Sequence, residues 1–282
     1  MPGAGGGSAG RGPRYPRLGG PAVMERIDGP GVRPPGPGFG PALEIAISHA
    51  LLQRVADHEI PPLARLYRPA AALAFGRIDV RSAGFEAAAG EARRHGFEPV
   101  LRLAGGHGAA YDHGSIVCEE ILAVDGAFGR VEDRYESFTH RLRAVLEALG
   151  AAVAVGELEG EYCAGRHSLN LGGRTKVAGV AQRVVRGGAL VSAVIVVEGG
   201  ARLREVLTAV YGSLAIDFEP ATVGALADEI PGLSVDDVAA KLADEFAGSG
   251  SPEPDPLDSI TLGLAQRLLP KHTIRVASGV ET

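Results

Sequence analysis

Tryptophan is absent from the 282 residues, and all aromatics together make up 5% of them. A core built without large rings must come from Val, Leu, Ile and Ala, and the 45% hydrophobic content supplies it. Cysteine is scarce as well, with only Cys118 and Cys163. Two thiols do not make a disulfide framework. With no apolar stretch near the N-terminus to act as a secretory signal, reduced thiols in a cytoplasmic protein are the expectation. No apolar run is long enough for a membrane-spanning helix, so a membrane is not an expected partner. Basic residues do not dominate either: 28 Lys+Arg stand against 34 Asp+Glu, for a net charge of −6. Without a basic run, nucleic acid is not an expected partner. The length fits one large domain, or one domain with an appendage.

Glycine and proline are abundant, and unevenly placed. Residues 1 to 40 are rich in Gly, Pro and Arg and carry no apolar periodicity, the composition of a disordered tail. Met24, the only methionine besides Met1, is a candidate start of the native chain. Order is expected to begin where Leu43, Ile47, Leu51 and Val55 recur every fourth residue, a helix of about four turns that Pro61-Pro62 ends. Ala70 to Phe75 and Pro99 to Leu103 read as strands around a helix that Ser82 opens and Gly96 closes. Ser115 to Val124, holding Cys118, returns to strand character. A helix from Val131 to Leu149 and a short strand at Ala151 to Val155 follow. Ala189 to Val197 is a continuous apolar run, the mark of a strand buried on both faces. The last 80 or so residues read mainly as helices, with a flexible joint at Gly248 to Pro256. This order gives an α+β or α/β domain with one core.

Two stretches carry chemistry. The first is Glu161-Tyr-Cys-Ala-Gly-Arg-His-Ser-Leu-Asn-Leu-Gly-Gly-Arg-Thr-Lys-Val-Ala-Gly, ending at Gly179. Gly172-Gly173 is a two-residue hairpin signal, because both positions can take positive φ. It places Cys163 on the approach loop and Lys176 on the second strand. Simple alternation puts Lys176 on one face and Val177, Gly179 and Ala181 on the other. Gly179, with no side chain, fits close approach of a ligand or another backbone. The second stretch is Arg102-Leu-Ala-Gly-Gly-His-Gly-Ala-Ala-Tyr-Asp112. Its clustered glycines let backbone N–H groups face a ligand. For each residue there is an ordinary structural alternative: a buried cysteine, a solvated edge-strand lysine, a turn with a salt bridge.

These two stretches, with the helix at Leu43 to Val55 followed by Leu66-Tyr-Arg-Pro-Ala and Ala74-Phe-Gly, resemble the cofactor transferases that share a fold with biotin–protein ligase, namely lipoate–protein ligases and octanoyltransferases. The Arg102 to Asp112 segment is similar to the family's arginine–diglycine–aspartate loop, which lines the acyl pocket. Gly173-Arg-Thr-Lys-Val-Ala-Gly-Val-Ala-Gln-Arg183 is similar to its lysine strand. Glu161-Tyr-Cys-Ala-Gly-Arg-His-Ser-Leu-Asn looks like the branch that moves octanoyl from the glycine-cleavage H protein to lipoyl domains of 2-oxoacid dehydrogenases. Ala164 stands where that branch usually has Pro, and Ala104 and His107 depart from the familiar diglycine loop. The resemblance implies an α+β, biotin/lipoate ligase-like catalytic domain over residues 41 to 200, with mixed sheets flanked by helices. A helical C-terminal region, residues 201 to 282, would pack on the same core.

On this reading Cys163 is the nucleophile that forms a thioester. Lys176 hydrogen-bonds the acyl carbonyl. Arg102, Gly105, Gly106, His107, Asp112 and Gly179 shape the substrate pocket. His107, His113 and His167 are candidate proton carriers, with His167 nearest Cys163 in sequence. The preferred activity, octanoyl or lipoyl transfer to a lysine of a lipoyl domain, requires no metal or nucleotide. A lipoate–protein ligase using ATP and Mg²⁺, with Lys176 holding the acyl-adenylate, is the second possibility. A non-catalytic acyl-binding homologue is the third.

Overall fold

The structure, a computed structural model, describes residues 39–124, 130–246 and 257–275. The expected tail lies almost wholly outside the described residues, and the joint at Gly248 to Pro256 lies wholly outside them.

Helix α1 (Pro41–Ala56) opens with proline in its first turn, where a missing N–H costs nothing. Ile47, Leu51 and Val55 are fully buried, as the fourfold spacing requires, and so are Ala46, Ala50 and Leu52. The apolar surface is wider than one stripe because α1 is covered twice. One side lies on the large sheet and another meets α6 (Ser259–Leu268), with Leu52, Leu190 and Leu268 in one cluster.

Strands β1 (Leu63–Tyr67), β5 (Ser115–Ala123), β6 (Val153–Val155), β7 (Leu169–Leu171), β8 (Thr175–Val185) and β9 (Gly188–Val196) form an antiparallel sheet ordered β1-β5-β9-β8-β7-β6. The apolar run at Ala189 becomes β9, a central strand between β5 and β8. The smaller sheet, β3-β2-β4, pairs β2 (Ala72–Phe75) parallel with β3 (Glu98–Leu101) and antiparallel with β4 (Ala109–Tyr111). The helix expected at Ser82 starts later, as α2 (Phe85–Arg94), because a short 3₁₀ turn at Asp79–Arg81 takes up the preceding residues.

Helices α3 (Val131–Ala148) and α5 (Val235–Phe246) cover one face of the large sheet, where Phe138, Leu142 and Phe246 pack on Leu66, Cys118 and Ile195. Helix α4 (Gly200–Leu214) packs with α2 on the small sheet through Phe75, Phe85, Phe97, Leu207 and Tyr211. Burying each such side chain contributes on the order of 1.5–3 kcal/mol. The helices after residue 200 thus pack on the same sheets as the preceding elements. Among the described residues no helix is long and apolar enough to cross a membrane.

Candidate active site

The hairpin forms as its glycines dictate: Gly172 and Gly173 sit at φ +56° and +69° between β7 and β8. The register then slips. Leu169 pairs with Ala178 but Asn170 pairs with Lys176, leaving Val177 as an extra residue on β8. A bulge of this kind re-aims the side chains beside it. Simple alternation, which separates Lys176 from Gly179, is therefore overturned. Both line one cleft, and a Cβ on Gly179 would lie 3.3 Å from Lys176 Cε.

The loop ahead of the hairpin is built on Glu161, whose side chain is fully buried. One of its oxygens, Oε1, accepts from Ser168 Oγ at 2.6 Å, Gly165 N–H at 3.0 Å and Lys176 Nζ at 3.0 Å. The other accepts from Leu158 N–H at 3.1 Å. A carboxylate buried this deeply persists only when so paired. Lys176 Nζ spends its remaining donors on the carbonyls of Tyr162 at 2.9 Å and Cys163 at 3.0 Å. An ammonium has three donors, so none is left for a substrate carbonyl. In this arrangement the side chain, 1% exposed, shapes the cysteine loop, and the carbonyl-holding duty expected of Lys176 would need one of these three bonds to be exchanged for the substrate.

Cys163 is held from three sides. Its carbonyl is taken by Lys176, and its N–H donates to Tyr211 Oη at 2.8 Å. Its sulfur accepts from Arg102 Nη1 at 3.3 Å. The backbone between sits at φ +43°, a left-handed conformation rare outside glycine. Tyr211, from α4, also donates to the carbonyl of Gly108 at 2.9 Å, so one hydroxyl ties the cysteine loop to the glycine loop. Arg102 Nη1 donates as well to the carbonyl of His107 at 2.9 Å. Gly106 closes against the sulfur: a Cβ there would lie 2.8 Å from Cys163 Sγ, at φ +100°.

The cleft has a volume of about 410 Å³ and is bounded by Arg102, Gly105, Gly106, Cys163, Lys176 and Gly179. His167 lines it too, stacked on Tyr135 with ring centroids 4.5 Å apart. His167 Nε2 is 3.1 Å from Glu132 Oε1 without a hydrogen bond between them. Two other expected pocket residues point elsewhere. Asp112 is buried against Arg202 at 2.5 Å and caps the Gly114 N–H at 2.9 Å. The His107 ring turns to Asp79, with Nδ1 2.6 Å from Oδ1, leaving only its carbonyl to the site. His113 contributes its carbonyl to Arg68. Cys118 is fully buried within β5, and burial pushes its thiol well up.

Sequence reasoning missed the anchoring duty of Glu161, although it stands two residues before the cysteine. It also missed Tyr211 and Asp79, which approach from distant segments and carry no local signal. Among the described residues no group of three or more His, Cys, Asp and Glu side chains is placed to hold a metal ion.

The chain is similar to known proteins in both sequence and fold. A Geobacillus kaustophilus protein named octanoyl-[GcvH]:protein N-octanoyltransferase is 31% identical over 156 residues, 55% of this chain and 55% of that relative. The chain thus spans about half the length of the curated relatives it matches. A crystal structure of lipoate-protein ligase A bound with ATP superposes with TM-score 0.64 at 18% identity, over 82% of this chain and 90% of that one. A bipartite lipoate protein ligase from Thermoplasma acidophilum, studied with its E2 lipoyl domain, superposes with TM-score 0.62 at 16% identity, covering 82% and 88%. These likenesses show the fold. Residues 40–247 match the lipoyl protein ligase A/B catalytic domain, and over that span the chain belongs to this family.

Proposed function

We propose that the protein transfers an octanoyl or lipoyl group through a thioester on Cys163 to a lysine amine of a lipoyl domain, in the cytoplasm. The observation that carries this reading is the over-determined cysteine: a left-handed backbone, a cation on the sulfur, and a cleft open in front of both. Strain held in place by surrounding contacts is a feature of reacting centres. Residues 41 to 200 form the catalytic part in this reading, and the later helices contribute Tyr211.

In the first step the Cys163 thiolate attacks the acyl carbonyl of the donor. The carbon–sulfur bond forms and the bond to the donor amine breaks, the amine leaving with the proton that the Cys163 thiol gave up on becoming the thiolate. Arg102 meets the negative charge as it passes from sulfur to the carbonyl oxygen. In the second step the neutral amine of the acceptor lysine attacks the thioester, its proton leaves, and the thiolate is released. His167, on the cleft wall, is the candidate carrier of that proton. Lys176 acts on the reaction through the loop, by fixing the two carbonyls that hold Cys163 in place. Neither step consumes a nucleotide. The relatives' name points to octanoyl on the glycine-cleavage H protein as donor.

Mixing the full chain with octanoyl-H protein and an apo lipoyl domain, without ATP, tests this. The lipoyl domain should gain the octanoyl mass, and Cys163→Ala should abolish the gain. Transfer only from free acid plus ATP, unaffected by Cys163→Ala, would establish a ligase instead. No transfer in either mixture would leave an acyl-binding homologue.

A further inference from the structure

The short 3₁₀ turn Asp79–Arg81 inverts the ordinary partition of side chains. Ile78 and Val80 are 58% and 42% exposed, while Asp79 between them is 1% exposed. A buried carboxylate is costly unless its oxygens are taken, and both of these are. Oδ2 accepts from the Gly76 N–H at 2.7 Å, and His107 Nδ1 stands 2.6 Å from Oδ1. The first bond closes the end of β2. The second reaches across to the glycine loop, where His107 carries the only side chain in Gly105-Gly106-His107-Gly108. Three glycines leave that loop little resistance of its own to movement. Tyr211 holds the Gly108 carbonyl from outside, and the loop's own tether is the His107 ring.

Both ends of Arg102 depend on what Asp79 holds. The Arg102 N–H donates to the Phe75 carbonyl at 2.9 Å, beside Gly76 at the end of β2. Its Nη1 donates to the His107 carbonyl at 2.9 Å and to Cys163 Sγ at 3.3 Å. Gly76 also packs on the loop directly, since a Cβ there would lie 1.7 Å from the Gly106 carbonyl oxygen. A turn that only needed capping would use the Gly76 bond alone. We infer that His107, oriented by Asp79, is a positioning residue: it holds the glycine loop where the His107 carbonyl keeps the Arg102 guanidinium on the Cys163 sulfur. The inference rests on the acyl-transfer reading for what the cysteine does, but the cation at the sulfur can be read without any transfer.

The full chain is treated separately with iodoacetate and iodoacetamide, and the rate of adduct formation at Cys163 is followed by peptide mass. A cation beside the sulfur favours the anionic reagent. The ratio of the two rates cancels changes in general access and in thiolate content, which a merely structural role would alter. His107→Ala should lower the ratio about tenfold as the guanidinium drifts from the sulfur. His107→Asn should restore most of it, because its amide nitrogen occupies the place of Nδ1. His107→Gln, whose amide matches Nε2 instead, should not. Arg102→Gln should lower the ratio by itself, and adding His107→Ala to it should lower the ratio no further. A wild-type ratio in His107→Ala or His107→Gln would overturn the inference. So would an equal fall in His107→Asn, or a further fall when His107→Ala is added to Arg102→Gln, because the ring would then act otherwise than through the guanidinium. Should His107→Ala lack a native melting transition, His107→Gln against His107→Asn makes the same comparison. Failed transfer by a wild-type chain that shows this pattern of ratios would strike the activity and leave the positioning in place.

Discussion

At Cys163 the backbone occupies a conformation that costs a non-glycine residue about 1–2 kcal/mol. It persists because Lys176, Tyr211 and Arg102 each fix a different atom of the residue. Gly106 is the complement: its missing side chain makes room for the sulfur. Gly106→Ala should therefore damage the site far more than the fold. The new methyl would meet the sulfur and the Arg102 guanidinium, and alanine is strained at φ +100° by about 1–3 kcal/mol. The expected outcome is a fall in kcat/KM of about a hundredfold or more. Melting temperature should drop by only a few degrees, checked by steady-state transfer assays and thermal denaturation. Lys176 teaches the same lesson about residues. Its motif was legible in the sequence, but its partners were not, because Glu161 and two backbone carbonyls come to it only through the fold.

Among the elements, the hairpin was readable and its bulge was not. Gly172-Gly173 announce a turn through local φ preference alone. The extra residue at Val177 depends on how β7 pairs, and no local preference encodes it. That one slip decides which β8 side chains face the cleft. Asp112 shows the converse. Its closeness in sequence to the glycine loop implied a pocket residue, yet the turn at Gly114 carries it to Arg202 on α4. Helix α4 also delivers Tyr211, whose hydroxyl joins the cysteine and glycine loops. Tyr211→Phe should leave the Cys163 N–H and the Gly108 carbonyl without that partner, at a stability cost of about 1–3 kcal/mol. A loosened nucleophile loop should lower kcat more than it raises KM. Denaturant unfolding and transfer kinetics, measured together, check both halves.

Across the whole molecule, α1 is clamped to the last described segment through two histidines. His272 Nδ1 donates to the Leu101 carbonyl at 2.9 Å, which leaves its Nε2 to accept from His49 Nδ1 at 3.0 Å. The arrangement is satisfied only with both rings neutral. Burial, and then the neighbouring His272, push His49 down to about 4, and burial lowers His272 as well. An unfolded histidine takes up its proton near 6.5. Between those values the unfolded chain binds more protons than the folded one, so stability is full above about pH 6.5 and is lost as pH falls through about 4. Melting temperature should fall across that window in the wild type, and less steeply in His49→Gln. The general fold was legible at this scale because periodic apolar runs mark α1, α3 and β9. How three clusters of helices meet around two sheets depends on long-range packing that no window of sequence contains.

The central claim is that acyl transfer passes through Cys163. Intact-mass spectrometry of the full chain, quenched in acid shortly after mixing with octanoyl-H protein and no acceptor, tests it most directly. The account predicts one octanoyl adduct, mapped to Cys163, retained in Cys118→Ser and lost on adding an apo lipoyl domain. Turnover with no adduct at Cys163, or an adduct that persists in Cys163→Ser, would contradict it.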